Sequence, residues 1–139
     1  NKPRLLYIAY DEPDEFAHLK KYAQYLSMIN RLDNYISSIW RWIETHDMYR
    51  NKTTLIITTD HGRGEYLEDR WGSHGQDIPG AEFVWAAAIG PDTPVIGEVT
   101  HTDTVSTNQI GATIAHLLGY DYKSNRKVGS VIKKMIQSN

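Results

Sequence analysis

The sequence predicts an α/β fold in which a mostly parallel sheet is flanked by helices. Three short apolar runs, at 5–10, 53–59 and 81–89, have the length and continuity of buried strands. Residues 15–45, between the first two runs, repeat apolar side chains every three or four positions, which is the period of an amphipathic helix. Strands that alternate with helices along one chain are typical of a sheet whose faces are covered by helices.

The first strand, 5–10, is followed by Asp11-Glu12-Pro13, and the long helix starts directly after it. Pro13 and Asp14 are start signals, because proline is tolerated in the first turn of a helix and aspartate is a common N-cap. The apolar stripe of this helix consists of Tyr22, Leu26, Ile29, Leu32, Ile36, Ile39, Trp40 and Ile43.

The second strand, 53–59, is mostly β-branched and delivers Asp60-His61-Gly62 at its end. Residues 62–80 then contain five glycines and show neither a helical nor a strand period, so we predict an ordered loop. Its length favours a functional role. The third strand, within 81–89, ends at Gly90-Pro91, and 95–99 is predicted as a short edge strand.

A second helix is predicted at 106–118. Ser106 and Gln109 have the spacing of a capping box, and Gly119 stands where a C-cap belongs. Its apolar stripe consists of Ile110, Ile114, Leu117 and Leu118. The tail, 128–136, is interpreted as a short strand or helix.

Composition narrows the classes of function. A chain of 139 residues suits one domain, and its 40% apolar and 23% charged residues are ordinary for a globular protein. The formal net charge of −2 leaves no broad basic face, so nucleic acid is not an expected partner. No apolar stretch approaches the roughly 20 residues that cross a bilayer, so we expect no membrane span in this segment. Cysteine is absent, and any metal must therefore be held by His, Asp and Glu.

Asp14 and His18 are the first candidate pair of metal ligands. Four residues apart on a helix, they share one face and can bind a single cation together. The alternative is that Asp14 only caps the helix and His18 is a surface residue. Asp11 and Glu12 are competing carboxylates in the same loop, and spacing does not choose among them.

Asp60, His61 and His74 are the other candidate ligands. In a continuing strand Asp60 and His61 would point to opposite faces, but Gly62 permits a sharp turn that brings both forward. His74 lies in a glycine-rich segment and, thirteen residues after His61, can return to the same edge of the sheet. Each residue alone has an ordinary structural explanation, and their combination suggests a two-metal centre.

Arg63 could bind an anion bidentately or pair with Glu65 or Glu68 at the surface, and we favour the surface pair. The glycine motifs of nucleotide-binding proteins and serine hydrolases are absent from the sequence.

The remaining histidines have simpler interpretations. His46 suits the C-terminus of a helix, and His116 falls off the apolar stripe of its helix and is expected to be solvated. His101 either lines the site or belongs to a helix cap.

Taken in order, these motifs resemble the C-terminal half of the alkaline phosphatase superfamily. That superfamily includes phosphatases, phosphodiesterases, phosphoglycerate mutases, phosphopentomutases and sulfatases. The resemblance covers the chain from about Leu5 to Tyr122. It rests on Asp14-x-x-x-His18, TTLIITTDHGRG, WGSHG, FVWAAAIGPDTP and QIGATIAHLLGYD.

The resemblance implies a partial alkaline-phosphatase-like core and two divalent metal ions in the parent enzyme, Zn²⁺ or Mn²⁺. Asp14, His18 and His74 match the ligands of one complete site, and Asp60 and His61 match two ligands of the other. The family adds a further Asp and a Ser or Thr nucleophile ahead of these motifs. No Ser or Thr of this chain matches that nucleophile, so no catalytic residue is assigned.

We therefore expect residues 1–139 to form a single domain, the C-terminal part of a larger metal-dependent hydrolase. The parent enzyme would hydrolyse or transfer small phosphate esters, and the isolated chain would be inactive. A piece of a larger sheet would expose an unpaired edge, so self-association is also expected. The alternatives are a non-enzymatic α/β binding or assembly domain and a fragment of a sulfatase.

Overall fold

The computed structural model describes residues 2–64, 70–100 and 104–137. Its elements in chain order are α1 (Glu12–His18), α2 (Tyr22–Thr45), β1 (Leu55–Thr58), β2 (Ala86–Ile89), α3 (Asn108–Leu117) and a 3-10 helix (Lys133–Met135). Helices combined with a small sheet are consistent with the predicted α/β class. The chain divides into two compact units, Asn1–Arg50 with Thr58–Ala86, and Asn51–Ile57 with Ala87–Asn139. The expectation of a single domain stays a prediction.

The start of α1 confirms Pro13 as a helix signal and corrects the place of Asp14. Asp11 occupies the N-cap position, and Pro13 lies in the first turn. The N–H group of Asp14 donates to the Asp11 carbonyl at 3.0 Å. Asp14 is therefore inside the helix, and its carboxylate is not used as a cap.

The predicted long helix is two helices, because the chain turns at Lys20. Lys20 has a left-handed φ of 54°, and its N–H group donates to the Ala17 carbonyl at 2.8 Å. This hydrogen bond satisfies an unpaired carbonyl at the end of α1. The turn lets α1 and α2 pack on each other, and the two helices bury Ala17 and Met28.

β1 and β2 form a two-stranded antiparallel sheet. The hydroxyl of Thr58, at the end of β1, donates to the carbonyl of Trp85, before β2, at 2.9 Å. Gly90, after β2, lies so close to Thr54 that an added Cβ would be 2.7 Å from the Thr54 Cα. The second and third predicted strands both form, and both are shorter than predicted: β1 covers 55–58 of 53–59, and β2 covers 86–89 of 81–89. The mostly parallel sheet is not confirmed in the part of the chain that the structure describes.

Residues 5–10 do not form a strand, so this prediction was wrong. Leu5, Leu6, Tyr7, Ile8 and Tyr10 are between 36% and 85% exposed. A strand needs a neighbour to satisfy its backbone groups, and none of the described residues pairs with this segment.

Two further apolar stretches are also more exposed than predicted. The edge strand at 95–99 does not form, and Val95 is fully exposed. Phe83, Trp85 and Ile89 are exposed, although the sequence predicts them in a buried strand. A two-stranded ribbon covers less surface than the larger sheet that the sequence predicts.

α3 confirms the second predicted helix. The Ser106 N–H group donates to the side-chain oxygen of Gln109 at 2.9 Å, which is one half of a capping box. Gly119 has a left-handed φ of 80° just after the helix, as its C-cap role requires. The Thr113 hydroxyl accepts from the Ile132 N–H group at 2.9 Å and fixes the tail. None of the helices in the described ranges is long and apolar enough to cross a membrane.

Candidate metal centre

α1 presents Asp14 and His18 on the same face, as their spacing predicts. Nε2 of His18 lies 3.1 Å from Oδ2 of Asp14. Asp14 does not cap the helix, so this part of the alternative is wrong, whereas His18 is indeed exposed, at 45%. The competing carboxylates Asp11 and Glu12 do not belong to the cluster of metal-ligating atoms found among the described residues.

The loop after β1 brings His74 to the same two side chains. Nε2 of His74 is 3.1 Å from Nε2 of His18 and 3.6 Å from Oδ1 of Asp14. One ligand atom from each of the three residues lies within 4.8 Å of the others. The structure therefore gathers the three residues that the sequence assigns to one site, although His74 is 56 residues from His18.

Gly72 lets this part of the loop approach α1. A Cβ added at Gly72 would lie 2.5 Å from the Ala17 carbonyl oxygen, next to His18 in the chain. The N–H group of Gly64 donates to the Ser73 carbonyl at 3.4 Å, which holds the two arms of the loop together. The position of His74 thus depends on a backbone contact that only glycine permits.

The donor set fits a divalent cation. Ligands at about 2.0–2.1 Å from a tetrahedral ion lie roughly 3.3–3.4 Å from one another. Nε2 of His18 lies 3.1 Å from Nε2 of His74 and 3.1 Å from Oδ2 of Asp14, and Nε2 of His74 lies 3.6 Å from the other carboxylate oxygen, Oδ1. With one ligand atom taken from each residue, all three atoms lie within 4.8 Å of one another. Two imidazoles and one carboxylate are also a set that leaves a position open for substrate.

His61 lies at the edge of the same cluster. Its Nε2 is 3.7 Å from Oδ1 of Asp14, and its ring stacks on that of His74, with centroids 3.6 Å apart and planes 13° apart. Nδ1 of His61 is 2.9 Å from the Gly62 carbonyl oxygen. Because a carbonyl oxygen can only accept a hydrogen bond, Nδ1 of His61 is the donor in this contact.

Asp60 lies next to His61 at the protein surface, with its side chain 88% exposed. Its Oδ1 accepts from the His61 N–H group at 3.0 Å and lies 3.6 Å from Nε2 of His61. The turn after the strand thus directs both side chains forward, as expected. Gly62 is needed for a different reason than expected: an added Cβ would collide with the carbonyl oxygens of Phe83 and Gly80.

Arg63 is the main feature that the sequence did not predict. Its Nη2 donates to Oδ1 of Asp14, and the side chain is only 17% exposed. Nη1 is buried and has no hydrogen-bond partner among the described residues. The surface pair favoured from sequence involves Glu65 and Glu68, which lie outside the described residues. Arg63 and Asp14 are 49 residues apart, so no local spacing indicates their pairing.

The charges around Asp14 keep its carboxyl ionised. Burial pushes the pKa of Asp14 upward, but the hydrogen bond and charge of Arg63, with the charges of His18 and His74, outweigh burial. The pKa therefore lies below its ordinary value. Asp14 is accordingly anionic at neutral pH, which suits it to hold a cation.

Of the other histidines in the described ranges, neither His46 nor His116 belongs to the cluster of Asp14, His18 and His74. His46 is the C-cap of α2, and its Nδ1 lies 2.6 Å from the Trp42 carbonyl oxygen. His116 is exposed in the last turn of α3, as predicted. His101 lies outside the described residues.

Comparison with known protein families also points to a metal-binding protein. Residues 1–122 match the model of the Metalloenzyme superfamily, which covers most of the 139 residues. No curated protein and no solved structure matches the chain.

Proposed function

The chain belongs to the Metalloenzyme superfamily, within the alkaline phosphatase-like superfamily, and we propose that it binds a divalent cation for the hydrolysis or transfer of phosphate esters. The observation that carries this proposal is the convergence of Asp14, His18 and His74. Membership of the family supports metal-dependent catalysis, and the two imidazoles beside Asp14 support the phosphate-ester branches over the sulfatases. Sulfatases typically use mostly oxygen ligands.

Asp14, His18 and His74 would hold the first cation, Zn²⁺ or Mn²⁺. His61 and Asp60 would contribute to a second site, since Nε2 of His61 lies between the two carboxylates, 3.7 Å from Asp14 and 3.6 Å from Asp60. Bound there, such cations supply Lewis-acid stabilisation of the charge on a phosphoryl group.

Arg63 would bind a phosphoryl oxygen through Nη1. A buried N–H donor without a partner costs free energy unless a ligand satisfies it. Nη2 is held by Asp14, which fixes the plane of the guanidinium group and directs it beside the metal ligands. A planar guanidinium group is well suited to the geometry of a phosphate.

Metal analysis of the purified chain, combined with calorimetric titration of Zn²⁺ and Mn²⁺, tests the proposal. The wild type should bind about one ion tightly, and His18→Ala and His74→Ala should each weaken that binding by about 100-fold or more, because each removes a direct ligand. His116→Ala is the matched control, since His116 is exposed on another helix. Retention of wild-type affinity in both His18→Ala and His74→Ala would refute the site.

Turnover of an aryl phosphate by the metal-loaded chain is a separate test. We expect negligible turnover, because no Ser or Thr of the chain matches the family nucleophile. Clear activity that depends on His18 would mean that a nucleophile within this chain was overlooked.

A further inference from the structure

We propose that Tyr22, Tyr25 and Trp71 form an aromatic subsite for the alcohol portion of the substrate. The preferred ligand would then be a phosphate ester whose alcohol carries a planar aromatic ring, such as an aryl or nucleoside phosphate. This inference rests on the proposed function and extends it to the class of substrate.

The three rings form a corner with two differently oriented walls. Tyr22 and Trp71 meet edge to face, with planes 85° apart and centroids 5.4 Å apart. Tyr25 lies 6.2 Å from Tyr22 and 5.7 Å from Trp71. A planar ligand ring that stacks on Tyr22 would lie edge to face with Trp71, and one that stacks on Trp71 would lie edge to face with Tyr22. Stacked and edge-to-face arrangements are those that aromatic pairs prefer.

The aromatic subsite is continuous with the metal centre through Arg63. The guanidinium carbon of Arg63 lies 5.5 Å from the centroid of the Tyr25 ring, while Nη2 of the same group donates to Asp14. Trp71 also directly precedes Gly72, whose backbone lies against Ala17 of α1. The guanidinium group of Arg63 therefore lies between the Asp14 carboxylate and the Tyr25 ring.

The exposure of these rings favours a binding role. Tyr22 is 58% exposed, and Trp71 and Tyr25 are half-buried. Solvent therefore reaches these rings, so that the ring of a ligand can contact them from outside. A phosphoryl group held at Nη1 of Arg63 would direct an attached ring toward this exposed corner.

Binding of three ligands to the metal-loaded chain tests the subsite: inorganic phosphate, glycerol phosphate and phenyl phosphate. The dissociation constants are measured by calorimetry for the wild type, Tyr22→Ala and Trp71→Leu. We expect phenyl phosphate to bind about five- to tenfold more tightly than glycerol phosphate to the wild type, since one aromatic contact contributes that much. Both variants should reduce this preference to less than about twofold while leaving the affinity for inorganic phosphate unchanged.

Tyr35→Ala is the matched control, because Tyr35 is also an exposed tyrosine on α2, at 41%. It should keep the preference for phenyl phosphate. The subsite is overturned if the wild type shows no preference for phenyl phosphate, or if the preference persists in both Tyr22→Ala and Trp71→Leu. In either case, binding of inorganic phosphate would still support the proposed metal site. A metal-loaded chain that binds none of the three ligands overturns the proposed function together with the subsite. Adenosine monophosphate as a fourth ligand separates nucleoside from aryl esters.

Discussion

The segment 5–10 and helix α1 are consecutive in the chain, yet they differ in how their polar groups are satisfied. Among the described residues no hydrogen bond reaches the backbone of 5–10, and its apolar side chains are exposed. In α1 the backbone is paired within the helix, and the Asp14 carboxylate contacts His18, His61, His74 and Arg63.

This contrast shows what each element requires from the rest of the chain. A helix satisfies its own backbone, so one turn of α1 is enough to set Asp14 and His18 side by side. A strand requires a neighbour, and an apolar run without one remains an exposed edge. We therefore expect the cluster of Asp14, His18 and His74 to depend on α1 and the loop after β1 and not on the segment 5–10, so that substitutions in the two regions have separate effects.

The largest expected effect is that of Asp14→Asn on metal binding. The substitution keeps the size of the side chain but removes the anionic ligand that the other four groups share. Affinity for Zn²⁺ should fall by about 100-fold or more, measured by calorimetric titration, whereas self-association should not change. Asp11→Asn is the control, since Asp11 lies outside the cluster and should bind the ion like the wild type. An affinity of Asp14→Asn within about threefold of the wild type would contradict the site.

The second largest effect is expected for self-association through the segment 5–10. We expect the segment 5–10 to pair with its counterpart in a second copy, because the two exposed edges offer unpaired donors and acceptors to each other. Leu6→Lys should then raise the dissociation constant of this self-association by about tenfold or more, since it places a charge in the apolar contact.

Light scattering coupled to size-exclusion chromatography over a range of concentrations measures this change. Val95→Lys is the control, because Val95 is an equally apolar and fully exposed residue outside the segment. Metal affinity should stay the same in both variants. A wild type that remains monomeric at all concentrations would disprove the pairing.

The same contrast explains how far the sequence could predict the structure. The contact between Asp14 and His18 follows from helical spacing, which is local, and the strand β1 follows from a β-branched run. The glycine-rich sequence around His74 indicates that His74 can approach the site, and in the structure the contact of Gly72 with α1 allows that approach. The grouping of His74 with Asp14 and His18 came from the resemblance to a known family.

The remaining features depend on contacts distant in sequence. The pairing of Arg63 with Asp14 spans 49 residues and has no periodic signal. The division of the long helix at Lys20 requires a left-handed residue, which is uncommon for lysine and interrupts an otherwise continuous apolar period. Apolar runs at 5–10 and 95–99 satisfy the pattern of strands, but a pattern does not reveal whether a neighbour is present.

A moderate effect is expected for Gly72→Ala. The added Cβ would lie 2.5 Å from the Ala17 carbonyl oxygen, and because both are backbone positions the loop must move away from α1. Affinity for Zn²⁺ should fall by about tenfold, since a displacement of about 1 Å disturbs the ligand geometry.

Gly111→Ala is the matched control for this substitution. The nearest atoms to a Cβ there belong to the side chain of Tyr122, at 3.6 Å, which is an ordinary contact. Both variants are compared by titration of Zn²⁺ and by circular dichroism. Equal affinity in Gly72→Ala and the wild type would show that the contact with α1 does not position His74.

The smallest expected effect is that of Arg63→Gln on stability in the absence of metal. Burial raises the pKa of Asp14, but Arg63 outweighs it and the pKa is lowered in the folded chain. The ionised carboxylate therefore stabilises the fold above its unfolded pKa of about 3.9, and this contribution is lost as the pH falls through the lower folded value. Because Asp14 is a third exposed, solvent screens the interaction, and we expect less than about 1 kcal/mol.

Urea unfolding between pH 3 and 7 with a chelator present measures this contribution. Arg63→Gln should be less stable than the wild type at pH 6–7, and the difference should shrink as the pH falls below about 4. Arg50→Gln is the control: its partner Asp47 is 89% exposed, so that pair should contribute little at any pH. A deficit in Arg63→Gln that stays the same from pH 3 to 7 would mean that Arg63 stabilises the fold through packing on Tyr25 and not through the Asp14 carboxylate. The predicted pattern would show that the charges around Asp14 stabilise α1 and its loop before any ion binds, a contribution for which the apolar segment 5–10 has no counterpart.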